Sequence, residues 1–408
     1  MLALLTRSLA MYALKLELKL NNAERTLMAR HAGYARFCYN LACTLYMGVM
    51  DIKVSRTRKI AEIKKTFTNF IKKQPEYQWT NTLSSRVYQN AFIAFNNGLE
   101  RFFKGGSGFP NFKRKKSGDS FTVDSSNGPI FQMAGNRIKI PTLGTFRLKE
   151  AIGYNCCSQT FTISRTADKW YVSFTIKADK IPPLYHSVSE PIGIDLGVST
   201  FATLSDGTVY QLPDSLKTAK IKLGKLQYRN RNKQLGKRKL GIKASTNAQK
   251  FYRKQAKKHA DMAQRRRDFL QKTTTEISQK YAHIRIEDLK ISGLAANHKL
   301  AAAILDSGFY EFRRELIYKS PIYGTVVEVV DRWYHSSKTC SNCGRVQPMP
   351  LKERVFVCEA CGNSCNRDLN AAINLASVSR DRVRMASPEL TPDQEKEPTP
   401  YADTGNKF

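Results

Sequence analysis

Three carboxylates in this sequence sit where carboxylates are costly. Asp195 interrupts the apolar run Ile192-Gly193-Ile194-Asp195-Leu196-Gly197-Val198. Glu287 closes Ile284-Arg285-Ile286-Glu287, and Asp368 opens a helical pattern in Asn366-Arg367-Asp368-Leu369-Asn370-Ala371-Ala372. An acid in an apolar strand loses hydration and must be compensated. Taken singly, each has an ordinary explanation: a hydrogen-bonded strand acid for Asp195 and Glu287, a helix cap for Asp368. Brought together, three such groups repel one another unless divalent cations lie between them, and oxygen ligands favour Mg2+ or Mn2+. Two ions ~3.5–4 Å apart activate a water and stabilise the leaving oxygen of a phosphodiester.

A second set of residues has metal-ligand spacing. Cys340-Ser-Asn-Cys343-Gly and Cys358-Glu-Ala-Cys361-Gly are two knuckles separated by 14 residues. Two thiolate pairs complete a tetrahedron around one Zn2+ at ~2.3 Å, and four protein ligands leave no open position, so the expected role is structural. Cys365 is an extra thiol nearby that could compete as a ligand, whereas Cys38, Cys43, Cys156 and Cys157 read as packing or surface thiols. Nine cysteines at uneven spacing point away from a disulfide framework and towards a reducing, cytoplasmic setting.

The elements that must carry these groups follow from periodicity. Tyr12 to Leu20 alternates as a half-buried strand, with Asn22 the expected cap of the next helix. Residues 23–103 have helical spacing, clearest over Ser84 to Phe103, where Val87, Phe92, Phe95 and Leu99 share a side. Residues 120–178 read as β, with a hairpin turning near Ala167-Asp168, so the helices read as an insertion into a sheet-forming module. Pro182-Pro183 marks a boundary. Beyond it come a strand holding Asp195 near its middle, Phe201 to Leu204, a Ser205-Asp206-Gly207 turn and Thr208 to Tyr210. Two basic helices joined near Gly236 to Gly241 follow, then a strand (283–289), a helix (306–318), a strand (325–330), the cysteine insert and a last helix (368–378). This is the element order of an RNase H-like fold, in which the first strand, a later strand and the last helix meet. The residues from about 387 onwards are proline-rich and polar, an expected disordered tail.

Charge indicates the partner. The 408 residues carry 67 Lys or Arg against 34 Asp or Glu, a formal net charge of +33. Residues 217–267 hold 19 of the basic residues and one acid, Asp261. Nucleic acid is the polyanion that such clustering fits. Candidate phosphate contacts are Lys237, Arg238, Lys239, Arg253, Lys254, Lys257, Lys258, Arg265, Arg266 and Arg267, and, around the glycine-rich stretch 105–110, Lys104, Lys113, Arg114, Lys115 and Lys116. No window has the ~18–20 apolar residues of a membrane span. Met1 to Ala10 makes a poor signal peptide, and Met11 is an alternative start.

With Gly33-Tyr-Ala-Arg-Phe-Cys-Tyr-Asn40, Gly108-Phe-Pro-Asn-Phe-Lys113, Gly193-Ile-Asp-Leu-Gly197, Ile286-Glu-Asp-Leu289, Ser336-Ser-Lys-Thr-Cys-Ser-Asn-Cys-Gly344 and Asn366-Arg-Asp-Leu-Asn-Ala-Ala372 in this order, the chain resembles TnpB, the insertion-sequence protein related to type V CRISPR effectors. The resemblance spans about residues 11–380. It implies an α/β multidomain protein: a β-barrel-like wedge module (1–20 and 120–185) with an inserted helical recognition domain (21–119), a RuvC-like nuclease domain (186–335 and 363–380), a zinc-ribbon insert (336–362) and a disordered tail (381–408). It implies RNA-guided cleavage of double-stranded DNA at Asp195, Glu287 and Asp368, with a guide RNA from the transposon end. A short target-adjacent motif would be read by the N-terminal half. Many relatives have Asp-Arg-Asp where this chain has Asn366-Arg367-Asp368. Gln89, on the helix matching the motif-reading region, is a candidate adenine reader. The alternatives are a guide-directed repressor that binds without cutting, and a guide-independent resolvase or transposase. Retention of all three acids disfavours the former. The basic helices and N-terminal module exceed what a bare resolvase needs.

Overall fold

The computed structural model describes residues 11–115, 118–177, 186–236, 241–289, 304, 307–350 and 352–386. The readings placed on residues 1–10, Lys116, the Pro182-Pro183 boundary, Lys237, Arg238, Lys239 and the residues after 386 lie outside the described residues. The chain divides into two compact units, 1–180 and 181–408. No helix among the described residues is long and apolar enough to cross a membrane.

The first unit opens with β1 (Met11–Leu18). Leu18 and Leu20 are buried and Leu14 and Leu16 pack against the core, as the alternation requires. The helix that follows, α1 (Asn22–Met47), is capped by Asn21 rather than Asn22. The Asn21 side chain accepts from the Glu24 amide, and the Glu24 carboxylate accepts from the Asn21 amide, a reciprocal box that leaves Asn22 as the first helical residue. Next are α2 (Arg56–Asn69) and α3 (Ser85–Phe103), the latter capped by Ser84 and burying Val87, Phe92, Phe95 and Leu99. The remaining strands are β2 (Asp119–Asp124), β3 (Ile130–Gln132), β4 (Gly135–Ile140), β5 (Gly144–Ile152), β6 (Cys156–Ser158), β7 (Thr160–Thr166) and β8 (Lys169–Lys177). Six strands form one sheet in the order β2-β7-β8-β1-β5-β4, with β1 antiparallel to β8 from Met11↔Lys177 to Leu18↔Trp170.

Two expectations are corrected here. Among the described residues the edge strands β2 and β4 do not pair, so the sheet is not closed by hydrogen bonds into a barrel. Nor do the helices form a separate domain: Phe67, Phe92 and Phe95 belong to the same buried cluster as Phe121, Ile163 and Trp170.

The second unit is a mixed α/β structure. Its elements are β9 (Val188–Leu196), β10 (Ala202–Leu204), β11 (Val209–Tyr210), α4 (Asp214–Arg229), α5 (Thr246–Lys280), β12 (Tyr281–Glu287), α6 (Phe309–Tyr323), β13 (Val326–Val330), β14 (Val355–Val357), β15 (Ser364–Asn366), α7 (Arg367–Ala376) and β16 (Val383–Met385). The sheet order is β11-β10-β9-β12-β13-β16. Strands β9, β12 and β13 are parallel; the outer pairings are antiparallel. Ile194, Ile284, Ile286, Val327 and Val329 make its core with Leu270, Ile277, Phe312 and Leu316 from α5 and α6.

Of the helix expected over 306–318, Asp306 lies outside the described residues; α6 runs on from Phe309 to Tyr323 after Gly308, which takes a left-handed conformation. α5 runs beyond Arg267 to Lys280, since Leu270, Thr273, Thr274 and Ile277 continue its buried face. The ribbon extends past residue 362, where β15 pairs with β14. The tail expected from 381 does not begin there: Val383–Met385 pair with β13 as the last strand of the sheet.

Candidate metal centres and basic surface

Asp195 lies at the carboxyl end of β9, one residue from its terminus, rather than mid-strand. The strand is central, with β10 on one side and β12 on the other. Gly193, two residues earlier on the same face, lets α7 rest directly on the strand. A Cβ there would lie 2.0 Å from the Ala372 carbonyl oxygen and 2.6 Å from the Ala376 nitrogen. That approach sets Asp368, in the first turn of α7, towards Asp195. Burial pushes the Asp195 carboxyl up to about 7, and the charges of Asp368 and Glu287 push it the same way against the opposing Arg367. Glu287, the last residue of β12, is also raised, by burial and then by Asp288. The structure thus brings Asp368 and Glu287 within electrostatic reach of Asp195.

The residues that hold this arrangement were not singled out in the sequence. Arg285 is nearly buried and on the same face as Glu287. It donates to Glu328 Oε2 at 2.7 Å and to the carbonyls of Ala376 at 2.7 Å and Val378 at 2.8 Å. It therefore ties the Glu287 strand to the end of the Asp368 helix, where unpaired carbonyls favour a cation. Asn366 caps the other end: its side-chain oxygen accepts from the amides of Asp368 and Leu369. The helix-cap explanation of Asp368 therefore falls away, because the cap is Asn366. An Asp at 366 could cap the helix as well.

Asp288 points to the opposite face from Glu287. Its carboxylate receives Arg313 at 2.7 Å, Arg332 at 3.0 Å and Arg384 at 2.7 Å. Although burial opposes it, these guanidiniums hold the carboxyl below its usual range.

The four knuckle cysteines come together. Their sulfurs all lie within 4.8 Å of one another, the one group of this kind among the described residues; the three carboxylates are spaced more widely. Cys340 and Cys361 are 3.6 Å apart, as are Cys343 and Cys358. A tetrahedron with ~2.3 Å Zn–S bonds has sulfur–sulfur edges of ~3.8 Å, so the residues fit the ion. The two knuckles repeat one backbone pattern: Gly344 N donates to the Cys340 carbonyl and Gly362 N to that of Cys358. Both glycines have positive φ, 76° and 68°, which the residue after each second cysteine must supply. Burial would raise the Cys340 thiol, but the backbone amides of Cys343 and Asn342 prevail and bring it down to about 6, favouring the thiolate a metal needs. Cys365 packs against the cluster without joining it. Asn370 and Asn374 of α7 reach into the first knuckle, donating to the Thr339 carbonyl, and Asn370 accepts from the Ser341 amide. The knuckles thereby brace the helix that carries Asp368.

The basic candidates divide. On α5, Arg253, Lys254, Lys257, Lys258, Arg265 and Arg267 are exposed; Arg265 also pairs with Asp261, and Arg266 is half-buried. In the first unit Lys104 pairs with Glu100, while Arg114 and Lys115 are exposed. Lys113 sits over the Tyr39 ring at 4.1 Å, and Asn40 exchanges two hydrogen bonds with its backbone. The two motif stretches around residues 40 and 110 therefore hold each other. Gln89 is half-buried and its side-chain oxygen already accepts from Arg86, leaving the amide donor for any base contact.

Residues 176–298 match the family model OrfB_IS605, described as "Probable transposase", and residues 309–375 match "Cas12f1-like, TNB domain". Two relatives carry the name "Putative RNA-guided DNA endonuclease". One, InsQ of Escherichia coli K12, is 31% identical over 90% of this chain and 92% of its own length. The other, from Streptomyces pristinaespiralis, is 33% identical over 77% of each. The Cas12f1 chain in a cryo-EM structure of a Cas12f1–sgRNA–target DNA complex has a similar fold, with a TM-score of 0.51 at 14% identity, over 87% of this chain and 82% of that one. By its identity to InsQ over nearly the whole of both chains, this protein belongs to the TnpB family.

Proposed function

We propose that this chain is an RNA-guided endonuclease that hydrolyses both strands of a DNA duplex at one RuvC-like site built from Asp195, Glu287 and Asp368. The observation that carries this reading is the packing of α7 on Gly193, which turns Asp368 towards the neighbouring carboxyl ends of β9 and β12 that hold Asp195 and Glu287, although burial and the charge of its neighbours push Asp195 up to about 7. A fold gains nothing in stability from such an arrangement. It becomes favourable when divalent cations, Mg2+ or Mn2+, sit among the oxygens, where they would activate water and neutralise the scissile phosphate. The carboxylates hold the ions, Arg285 and Asn366 fix the two elements that present them, and the zinc knuckles brace α7. A RuvC-like nuclease domain with a zinc ribbon, preceded by a wedge and recognition module, is the architecture this implies. The exposed basic residues of α5 support binding of a guide RNA, derived from the transposon end, and of its DNA heteroduplex through their phosphates. A short target-adjacent motif read by the N-terminal unit would license cutting. The thiolates suit the reducing cytoplasm.

The test is purification with co-expressed transposon-end RNA, followed by Mg2+-dependent cleavage of plasmids with and without a guide match. Cleavage confined to matched plasmids, and lost in Asp195→Asn, Glu287→Gln and Asp368→Asn while DNA binding persists, is the expected result. Cutting that ignores the guide, or persists in all three variants, overturns the reading.

A further inference from the structure

The side of β12 opposite Glu287 holds a feature that the proposed reaction does not yet use. A pocket of about 830 Å³ opens there, lined by Asp288, Arg332, Trp333, Asp381, Arg382 and Arg384 among others. Its size is within the range of pockets that enclose a nucleotide-sized ligand. Trp333 is 78% exposed, the most exposed large hydrophobic side chain among the described residues. An indole left in water forgoes the stabilisation it would gain from burial. Two hydrogen bonds hold the turn that displays it: the Trp333 amide donates to Asp331 Oδ1 at 2.8 Å and the Tyr334 amide to the Asp331 carbonyl at 3.0 Å.

The pocket walls carry both signs of charge: Asp288, Asp331 and Asp381 beside Arg332, Arg382 and Arg384. Asp288, 12% exposed, takes bonds from Arg313, Arg332 and Arg384. Arg384 spends one terminal nitrogen on Asp288 while more than half of its side chain is exposed, and Arg382 is exposed beside it. Guanidiniums in this setting suit phosphate oxygens. The Asp381 carboxylate on the wall is an acceptor for an exocyclic amino group. Stacking face, phosphate donors and an amino acceptor in one pocket are the parts that a nucleotide requires.

We propose that the Trp333 pocket holds one unpaired nucleotide of the DNA strand presented to the carboxylate site, which rests on the reading of Asp195, Glu287 and Asp368 as that site. The base must be unpaired and splayed, because a base within a duplex is stacked on both faces and offers none to an indole. The pocket and the carboxylate lie on opposite sides at the same end of β12, so the strand being cut would pass over that end to reach both. Asp288 follows Glu287 directly, their Cα atoms ~3.8 Å apart, and the Asp288 amide bonded to the Val330 carbonyl pins the chain between pocket and carboxylate. A nucleotide seated on Trp333 would fix the strand's register within a few nucleotides of Glu287.

The experiment uses the full chain carrying Asp195→Asn, to prevent turnover, and Trp79→Phe. Trp170 is 3% exposed, so Trp333 then dominates the emission accessible to a ligand. A single-stranded ten-nucleotide DNA is expected to quench that emission saturably, and a ten-base-pair duplex is not. Anisotropy of the labelled single strand should show affinity roughly 5- to 100-fold weaker in Trp333→Ala and largely kept in Trp333→Phe, the span expected for one stacked base. Binding without quenching, equal quenching by duplex, or unchanged affinity in Trp333→Ala overturns the proposal. Stronger quenching by RNA of the same sequence overturns the assignment to DNA. Guided plasmid cleavage by the parental chain and by Trp333→Ala with Asp195 intact separates the two readings. Quenching without any parental cleavage sinks the nuclease reading and keeps the pocket; normal cleavage by both without quenching does the reverse.

Discussion

Gly193 faces Ala372 so closely that one methyl group on its Cα would fall 2.0 Å from the Ala372 carbonyl oxygen. The obstruction is backbone, which cannot rotate aside. Gly193→Ala is therefore expected to lift α7 from β9 and to destabilise the second unit by about 3 kcal/mol or more. Chemical denaturation should show that loss, with metal-dependent cleavage falling further than stability alone explains because Asp368 moves away from Asp195. A Gly193→Ala protein with parental stability would show that the helix does not sit on the strand.

The Asp195 carboxyl, raised to about 7 by burial and by its acidic neighbours, makes the metal-free fold less stable at high pH. A raised acid pKa means that the folded state holds its proton more tightly than the unfolded chain does. Its favourable contribution is full below the ordinary value near 3.8 and is lost as pH rises through about 7. At pH 8 with zinc present and Mg2+ omitted, Asp195→Asn should exceed the parental protein in stability by up to about 4 kcal/mol. The two should converge near pH 4, and Mg2+ should narrow the gap at pH 8. Equal denaturation midpoints at pH 8 would contradict the crowding of these acids.

Zinc should be stoichiometric and should act through α7. Metal analysis is expected to give one Zn2+ per chain. Its removal, or Cys340→Ser, should release the segment that Asn370 and Asn374 hold. Hydrogen exchange should then rise at residues 367–376 and leave β1 and β8 in the first unit unchanged. Protection of α7 that is indifferent to chelation would separate the knuckles from the helix.

Another acid, outside the carboxylate site, reads out the opposite pH behaviour. Asp206, in the turn between β10 and β11, accepts from the Tyr281 hydroxyl, the Thr208 amide and Lys280. Burial opposes ionisation, but these donors prevail and hold the carboxyl at about 2. Its stabilisation is present above the ordinary carboxylate value and fades as pH falls from there through about 2. Asp206→Asn should cost about 1–2 kcal/mol at pH 7, discounted for partial exposure, and much less near pH 2.

The sequence was most informative where one residue type does one job. The alternation of Leu14 to Leu20, the α3 face and the cysteine spacing each map to a local geometric rule, and the structure follows them. Composition also made the basic helices plain. What escaped were residues whose work depends on partners far along the chain. Arg285 sits in an apolar strand and looks like an anomaly until the carbonyls of Ala376 and Val378 arrive. Asn366 against Asn370 and Asn374 cannot be ranked without knowing which end of α7 meets the knuckles. Gly193 reads as one glycine among 23 until a helix backbone occupies the place of its side chain. The boundary at 380 failed because a three-residue strand carries too short a pattern to announce itself, and only pairing with β13 defines it.

That last strand sets a lower limit on how far the protein can be shortened. Residues 383–385 pair with the open side of residues 328–330, the run that leads into the Trp333 turn. A truncated version ending at α7 would keep every proposed metal ligand yet expose a row of valine-flanked amides and carbonyls to any neighbouring chain. Efforts to miniaturise the enzyme for delivery would then meet insolubility before they met inactivity, and would do better to trim beyond residue 386.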